Sequence, residues 1–100
     1  MTLTLRNDYG CTEAVIAENC GFDRFQSIAD LLSEKLKIRF TSKADDSEIS
    51  HWDFLFNGKR LTLHFNIYDG VSIFPSKCKM AMKKDNEAVL ELAHMLTTLT

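Results

Sequence analysis

The run His51-Trp52-Asp53-Phe54-Leu55-Phe56, the dipeptide Asn57-Gly58 and the run from Lys59 to Ile67 restrict this chain more than any other feature. Asn-Gly between two alternating apolar runs predicts a β-hairpin with a two-residue type I′ turn, because both turn positions need positive φ. A turn of that length dictates the register: Phe54 opposite Leu61, Trp52 opposite Leu63 and His51 opposite His64. Side chains alternate along a strand, so Trp52, Phe54, Leu61 and Leu63 share a face that must be buried. His51, Asp53, Arg60, Thr62 and His64 share the other.

The neighbouring segments extend this sheet. At Tyr68-Asp69-Gly70 a three-residue loop with left-handed Gly70 predicts Ile67 opposite Val71 and Phe65 opposite Ile73. A two-residue Asp-Gly loop would instead bring Ser72 onto the apolar face. Pro75 ends that strand or marks it as an edge. Upstream, Phe25, Ile28, Leu32 and Leu36 recur at intervals of 3, 4 and 4, which predicts a helix over 24–37. Asp23 is its expected N-cap, and Gln26 completes a capping-box-like pattern. Ile38 to Thr41 switches to period two, a strand. Residues 42–50 carry Asp45, Asp46 and Glu48 without an aromatic residue and read as a polar, mobile loop. Residues 2–6 alternate Thr and Leu, a strand with Leu3 and Leu5 inward. Val15 and Ile16 make 11–19 a second strand, although Glu13-Ala14 and Ala17-Glu18 would also suit a helix. Residues 76–84 form a basic connector bearing Lys77, Lys79, Lys83 and Lys84, and a helix over about 85–98 buries Val89, Leu92, Ala93 and Leu96, with Leu99 just past it in line with the same stripe.

The resulting order is β(β)αβββα in a single α+β domain spanning 1–100. It is a two-layer sandwich whose mainly antiparallel sheet carries two helices on one face. The opposite face is left to solvent or to a partner.

Composition narrows the function classes. The chain is 45% apolar and 26% charged with four Gly and one Pro, which excludes disorder and low complexity. A net charge of -2 argues against nucleic acid as partner. No stretch reaches the roughly 18 apolar residues of a membrane helix, and the N-terminus lacks the basic-then-apolar pattern of a signal peptide. Cys11, Cys20 and Cys78 are an odd set without a C-x-x-C pair, which points to a reducing cytoplasm. Phosphate-loop, dinucleotide, zinc-protease and serine-hydrolase motifs are all missing.

Three groups could carry chemistry. His51, His64 and Asp53 on the outer sheet face have the composition of a divalent transition-metal site, or they are polar residues that alternate outward. Leu55, Tyr68 and Phe74 point away from the core and, with Arg60, suggest an interaction face for a protein partner or a homodimer. Cys78 lies between Lys77 and Lys79, which favour its thiolate and make it the candidate reactive thiol. The lysine connector itself has no interleaved aromatic for base stacking. His94, near the end of the last helix, suits the helix dipole.

The pattern Trp52-Asp53-Phe54-x-Phe56-x-Gly58-x-x-Leu61-x-Leu63-x-Phe65-x-x-Tyr68-Asp69-Gly70, followed by an apolar strand and a closing helix, resembles a small bacterial family of about this length classed as a domain of unknown function. The resemblance covers about half the chain. Its markers are core aromatics and turn glycines, so it implies a fold and no activity. The helix-then-strands order of 23–65 is also similar to the start of type III secretion chaperones, which are small, acidic, dimeric and cytoplasmic. This chain departs from them by closing on a single helix. The reading as a whole is a non-enzymatic cytoplasmic interaction module without cofactor, with a metal-binding protein or metal-dependent enzyme as the alternative.

Overall fold

The computed structural model describes residues 4–8, 10–46 and 48–99; the expected inward position of Leu3 lies outside them. Its elements are β1 (Thr4–Asp8), β2 (Cys11–Ala17), α1 (Phe22–Lys35), β3 (Phe40–Asp45), β4 (Ile49–Phe56), β5 (Lys59–Asn66), β6 (Gly70–Pro75), a 3-10 turn (Cys78–Met80) and α2 (Lys83–Leu99). Four strands follow α1, the four segments read as strands from the sequence although the order β(β)αβββα writes three, and the first of them runs over Phe40–Asp45 rather than 38–41. They form one six-stranded sheet in the order β1-β2-β6-β5-β4-β3, antiparallel throughout. The fold is α+β.

The central hairpin has the predicted register, with His51 opposite His64, Trp52 opposite Leu63 and Phe54 opposite Leu61. Its turn is left-handed at both Asn57 (φ 53) and Gly58 (φ 77). The next hairpin is shifted by two residues from expectation: Phe65 faces Val71, Leu63 faces Ile73, and Asn66 faces Gly70. The side chain of Asn66 is the cause. Its Oδ1 accepts the Tyr68 backbone N–H at 2.8 Å, so the turn starts at Asn66 and Ile67 leaves the ladder. A two-residue shift preserves which side chains face inward, so the core is unaffected. Gly70 adopts φ +96. A Cβ there would run into the Ala17 carbonyl oxygen and lie 2.9 Å from Glu18 Cα. The close approach occurs where β2 bulges, between Val15 and Ala17, to pair with β6.

Other expectations need correction at element ends. α1 starts at Phe22 with Gly21 as an N-cap that offers no side-chain bond. Asp23 is already in the first turn, and Gln26 bonds forward to Asp30 at 3.1 Å rather than back to a cap. The helix closes where Lys37 turns left-handed (φ 58) and the Ile38 N–H reaches the Leu32 carbonyl at 3.0 Å. The polar segment 42–50 is mostly strand, because β3 extends to Asp45 and β4 begins at Ile49. β3 is an edge strand exposed over all but its first residue, so no inward alternation marks it, and its charges discourage pairing with another chain. Leu5 sits opposite Ala14, but on the other edge strand, where it stays 50% exposed.

Both helices press on one face. Phe25, Ile28, Ala29 and Leu32 of α1 join Ala88, Val89, Leu92, Ala93 and Leu96 of α2 in a single cluster with Ala14, Ile16, Trp52, Phe54, Leu61, Leu63, Phe65, Val71 and Ile73 of the sheet. α2 lies over β2, β6 and β5, and α1 over β5 and β6. The start of α2 is tied down twice. Asp85 accepts the Met82 N–H at 2.9 Å, an acidic cap suited to the positive helix end. Asn86 accepts the Thr12 N–H at 2.9 Å and donates to the Gly10 carbonyl at 2.7 Å, which holds the β1–β2 turn against the helix.

Candidate functional site

Three rows of side chains cross the helix-free face at its centre. His51, His64 and Ser72 form one, Asp53, Thr62 and Phe74 the next, and Leu55 with Arg60 the third. The His51 and His64 rings lie 4.6 Å apart and 32° from parallel, and Phe74 lies 5.5 Å from His64. Beside them the Thr62 hydroxyl donates to the Asp53 carboxylate at 2.6 Å. It can then only accept from Ser76, 2.8 Å away, which gives a relay from Ser76 through Thr62 to Asp53. Ser72 donates to Glu13 at 2.8 Å, and Glu13 is 3.8 Å from Arg6. These neighbours close over the middle of the face, so Val15, Thr62 and Ser72 are buried although no helix covers them. A shallow cavity of about 320 Å³ remains between Ser42, Ala44, His51, Asp53, Thr62, Phe74 and Ser76.

The structure thus brings His51, His64, Asp53 and Phe74 together. It separates the other expected contact residues. Leu55, exposed, pairs with Arg60 two positions from the Asn57-Gly58 turn. Tyr68 lies in the β5–β6 turn at the far end, its hydroxyl 3.5 Å from Glu48. The segment read as strand or helix at 11–19 is strand β2 of the sheet itself. Among the described residues no group of three His, Cys, Asp or Glu side chains is placed to hold a metal ion. Asp53 is engaged by Thr62 instead.

His64 is the electrostatically unusual member. Its Nδ1 is buried with no hydrogen-bond partner among the described residues. Burial pushes its pKa below the ordinary 6.5, and His51 adds to the shift, while Glu13 and Asp69 oppose it. The folded state therefore binds this proton less readily than the unfolded chain. Stability is full above the unfolded value and falls as pH drops below about 6.5 toward the lower folded value. Urea unfolding at pH 7.5 and 5.5 checks this: the midpoint should fall on acidification, and His64→Phe should shrink that fall. An undiminished fall in the variant would assign the effect to other groups.

A second locus, which the sequence reading missed, lies on the helix side at the end of the sheet near α1. Trp52 Nε1 donates to the Asp45 carboxylate at 2.8 Å. That bond, then one from Ser50, holds the Asp45 carboxyl below its ordinary range, with Lys43 contributing. The Lys43 ammonium sits 4.3 Å from the centre of the Trp52 ring. Phe22, 44% exposed, packs 5.3 Å from Phe25 and 5.9 Å from Phe65. Between these groups is a cavity of about 640 Å³ lined by Cys20, Gly21, Phe22, Asp45, Asp46, Ser50, Phe65 and Ile67. No linear motif encodes it, since its residues come from three separate segments.

The cysteines divide. Cys11 is disulfide-bonded, so the odd count does not mean an all-thiol chain. Cys20 is free, with its thiol pushed up by burial against the lowering effect of Arg24. The side chain of Cys78 lies outside the described residues. Lys77, Lys79, Lys83 and Lys84 are exposed, as are Met80 and Met82 between them. His94 is exposed, and its carbonyl accepts the Thr97 and Thr98 hydroxyls at 2.8 and 3.1 Å.

The family described as "Protein of unknown function (DUF3630)" matches residues 4–100. The chain belongs to that family. The match confirms the resemblance read from the Trp52–Gly70 pattern and extends it over nearly the whole DUF3630 chain, whereas nothing found supports the similarity to secretion chaperones. No curated protein and no solved structure matches it. No described helix of this DUF3630 protein is long and apolar enough to cross a membrane.

Proposed function

We propose that this DUF3630 domain is a non-enzymatic cytoplasmic interaction module that binds a protein partner, or a second copy of itself, through the sheet face opposite its helices. One observation carries the reading: both helices are spent on one face, so the other presents Leu55, Arg60, His51 and the Phe74 ring without any covering element. Stable protein interfaces bury about 800 Å² per partner, an area that one face of a six-stranded sheet can supply. The Ser76–Thr62–Asp53 relay and the stacked histidines would give polar definition to such a contact. Native mass spectrometry with light scattering tests it. A dimer or a stoichiometric complex that Leu55→Asp weakens by about tenfold, the loss expected of a buried apolar anchor, supports the module. A bare monomer whose cellular partners are unchanged by Leu55→Asp removes it.

The proximity of His51 and His64 favours a second reading, a divalent transition metal held by the two imidazoles with Asp53 close by. Such binding requires Asp53, one oxygen of which accepts the Thr62 hydroxyl, to bring its other oxygen to the imidazoles. Titration with zinc or nickel decides: stoichiometric uptake that His64→Ala abolishes supports it, and no uptake ends it. For the compartment, the disulfide at Cys11 is the feature to test, and because Cys11 is buried the alkylation is done in denaturant on freshly lysed cells: a cytoplasmic setting requires Cys11 to label there as Cys20 does. A Cys11 that resists until reductant is added would place the protein in an oxidising compartment.

A further inference from the structure

We propose that the end of the molecule formed by the connector between β6 and α2 docks on an anionic phospholipid surface. Residues 77–84 hold four of the chain's 12 Lys and Arg and no Asp or Glu. Lys77, Lys79, Lys83 and Lys84 are all exposed. Between them Met80 and Met82 are 75% and 71% exposed, although methionine ordinarily goes inside. The backbone that presents them is fixed. The Ser76 N–H donates to the Arg60 carbonyl at 3.1 Å and the Met80 N–H to the Lys77 carbonyl at 2.9 Å, while Asp85 holds the Met82 N–H. Two apolar tips thus stand out of a cationic rim.

The surroundings extend the positive surface. Arg60 and Lys77 line one cavity with Pro75 and Asp85. Lys37 and Arg39 line the next with Leu55, whose strand partner is Arg60. Of the nearby carboxylates, Asp85 caps Met82, Glu91 accepts from Asn57 at 3.1 Å, and Glu87 follows on α2. Asp45, Asp46, Glu48 and Asp69 lie in or beside the β3–β4 and β5–β6 turns, at the opposite end of the antiparallel meander. A chain of net charge -2 therefore carries a charge separation that turns the connector toward a negative surface. The methionines identify that surface as a bilayer. They are long and unbranched, suited to the boundary between headgroups and acyl chains, and the connector has no aromatic side chain to stack on bases. The contact does not depend on the sheet-face reading, because a monomer can make it.

The untagged full chain is sedimented with phosphatidylcholine vesicles, with and without about one-third phosphatidylglycerol. Binding is expected only to the anionic vesicles. Each lysine near such a surface contributes about fivefold in affinity, so the double variant Lys77→Gln, Lys79→Gln should bind about twentyfold more weakly. Met80→Ser with Met82→Ser should cost about tenfold, since both side chains enter the interface only part-way. That second loss should persist when salt is raised, whereas the lysine contribution is screened. The unaltered chain gives an independent readout. Anionic vesicles should slow peroxide oxidation of Met80 and Met82, followed by mass spectrometry, and leave Met95, 36% exposed on α2, unchanged. Equal binding to both vesicles, binding to neither, or unprotected Met80 and Met82 in the bound protein overturns the proposal. Duplex DNA or polyglutamate bound as tightly at equal charge concentration, with no dependence on the methionines, also overturns it and assigns the patch to a soluble polyanion.

Discussion

Gly70→Ala is expected to leave little folded protein. Two independent costs coincide at this position. The backbone is held at φ +96, where an L side chain costs about 1–2 kcal/mol. The new methyl would also meet the Ala17 carbonyl and lie 2.9 Å from Glu18 Cα, and both are main-chain atoms that cannot rotate aside. Relief requires β6 to move away from the β2 bulge, which loosens the joint that attaches the N-terminal hairpin to the sheet. Overpacking of that kind adds about 1–3 kcal/mol. The sum of about 2–5 kcal/mol is a large share of the roughly 5–15 kcal/mol that holds such a domain together. Gly58→Ala is the matched control, because Gly58 has a similar φ of +77 but nothing within 4 Å of its added Cβ. Chemical unfolding of the pair separates the terms. A Gly70→Ala variant no less stable than Gly58→Ala would mean that the approach to Ala17 is relaxed at no cost.

Phe25→Ala should be the most damaging truncation on α1, at about 3–5 kcal/mol for a fully buried aromatic. Its ring is 0% exposed and lies 4.8 Å from Trp52 and 5.8 Å from Phe65, so its removal opens a void beneath the helix. Phe22, one turn earlier, shares the cluster but is 44% exposed, and its loss should cost about 1–2 kcal/mol, the smaller burial giving the smaller penalty. Trp52 emission gives the readout for both, since each ring is its neighbour. Equal losses for the two variants would show that α1 is not anchored through Phe25.

What could be read in advance followed the range of the forces involved. The Asn57-Gly58 hairpin and its His51–His64 pairing were legible because turn chemistry and alternation act within a few residues. The outer-face grouping of His51, Asp53 and His64 came with that register. The start of α1 misled because Asp23 and Gln26 imitate a cap while Phe22, wanted by the aromatic cluster, draws the helix back to Gly21. The strand expected at Ile38–Thr41 exists but is displaced to Phe40–Asp45, and its later half was hidden by being an edge: with both faces wet, Ser42, Lys43 and Asp45 have no reason to alternate. The shift at Asn66 turned on one side-chain bond to Tyr68. The Asn86 clamp, the Trp52–Asp45 bond and the cavity beside Phe22 depend on segments that meet only in the folded chain, and no spacing announces them.

The sheet order has a consequence for how the molecule is made. Strands β3 to β6 are a local meander that can zip as each turn closes, but β2, paired with β1 on one side, finds its partner on the other only in β6, about sixty residues later, as in the Glu13–Ser72 bond. On a ribosome the first hairpin therefore emerges early and waits, with an unsatisfied edge and Ile16 uncovered, until most of the chain has followed. Long-range closures of this kind slow folding relative to local ones. Final consolidation waits longer still, because Asn86 must arrive before the β1–β2 turn is fastened. The N-terminal hairpin is thus born first and secured last, and it is the part of the chain with most to gain from a chaperone during synthesis.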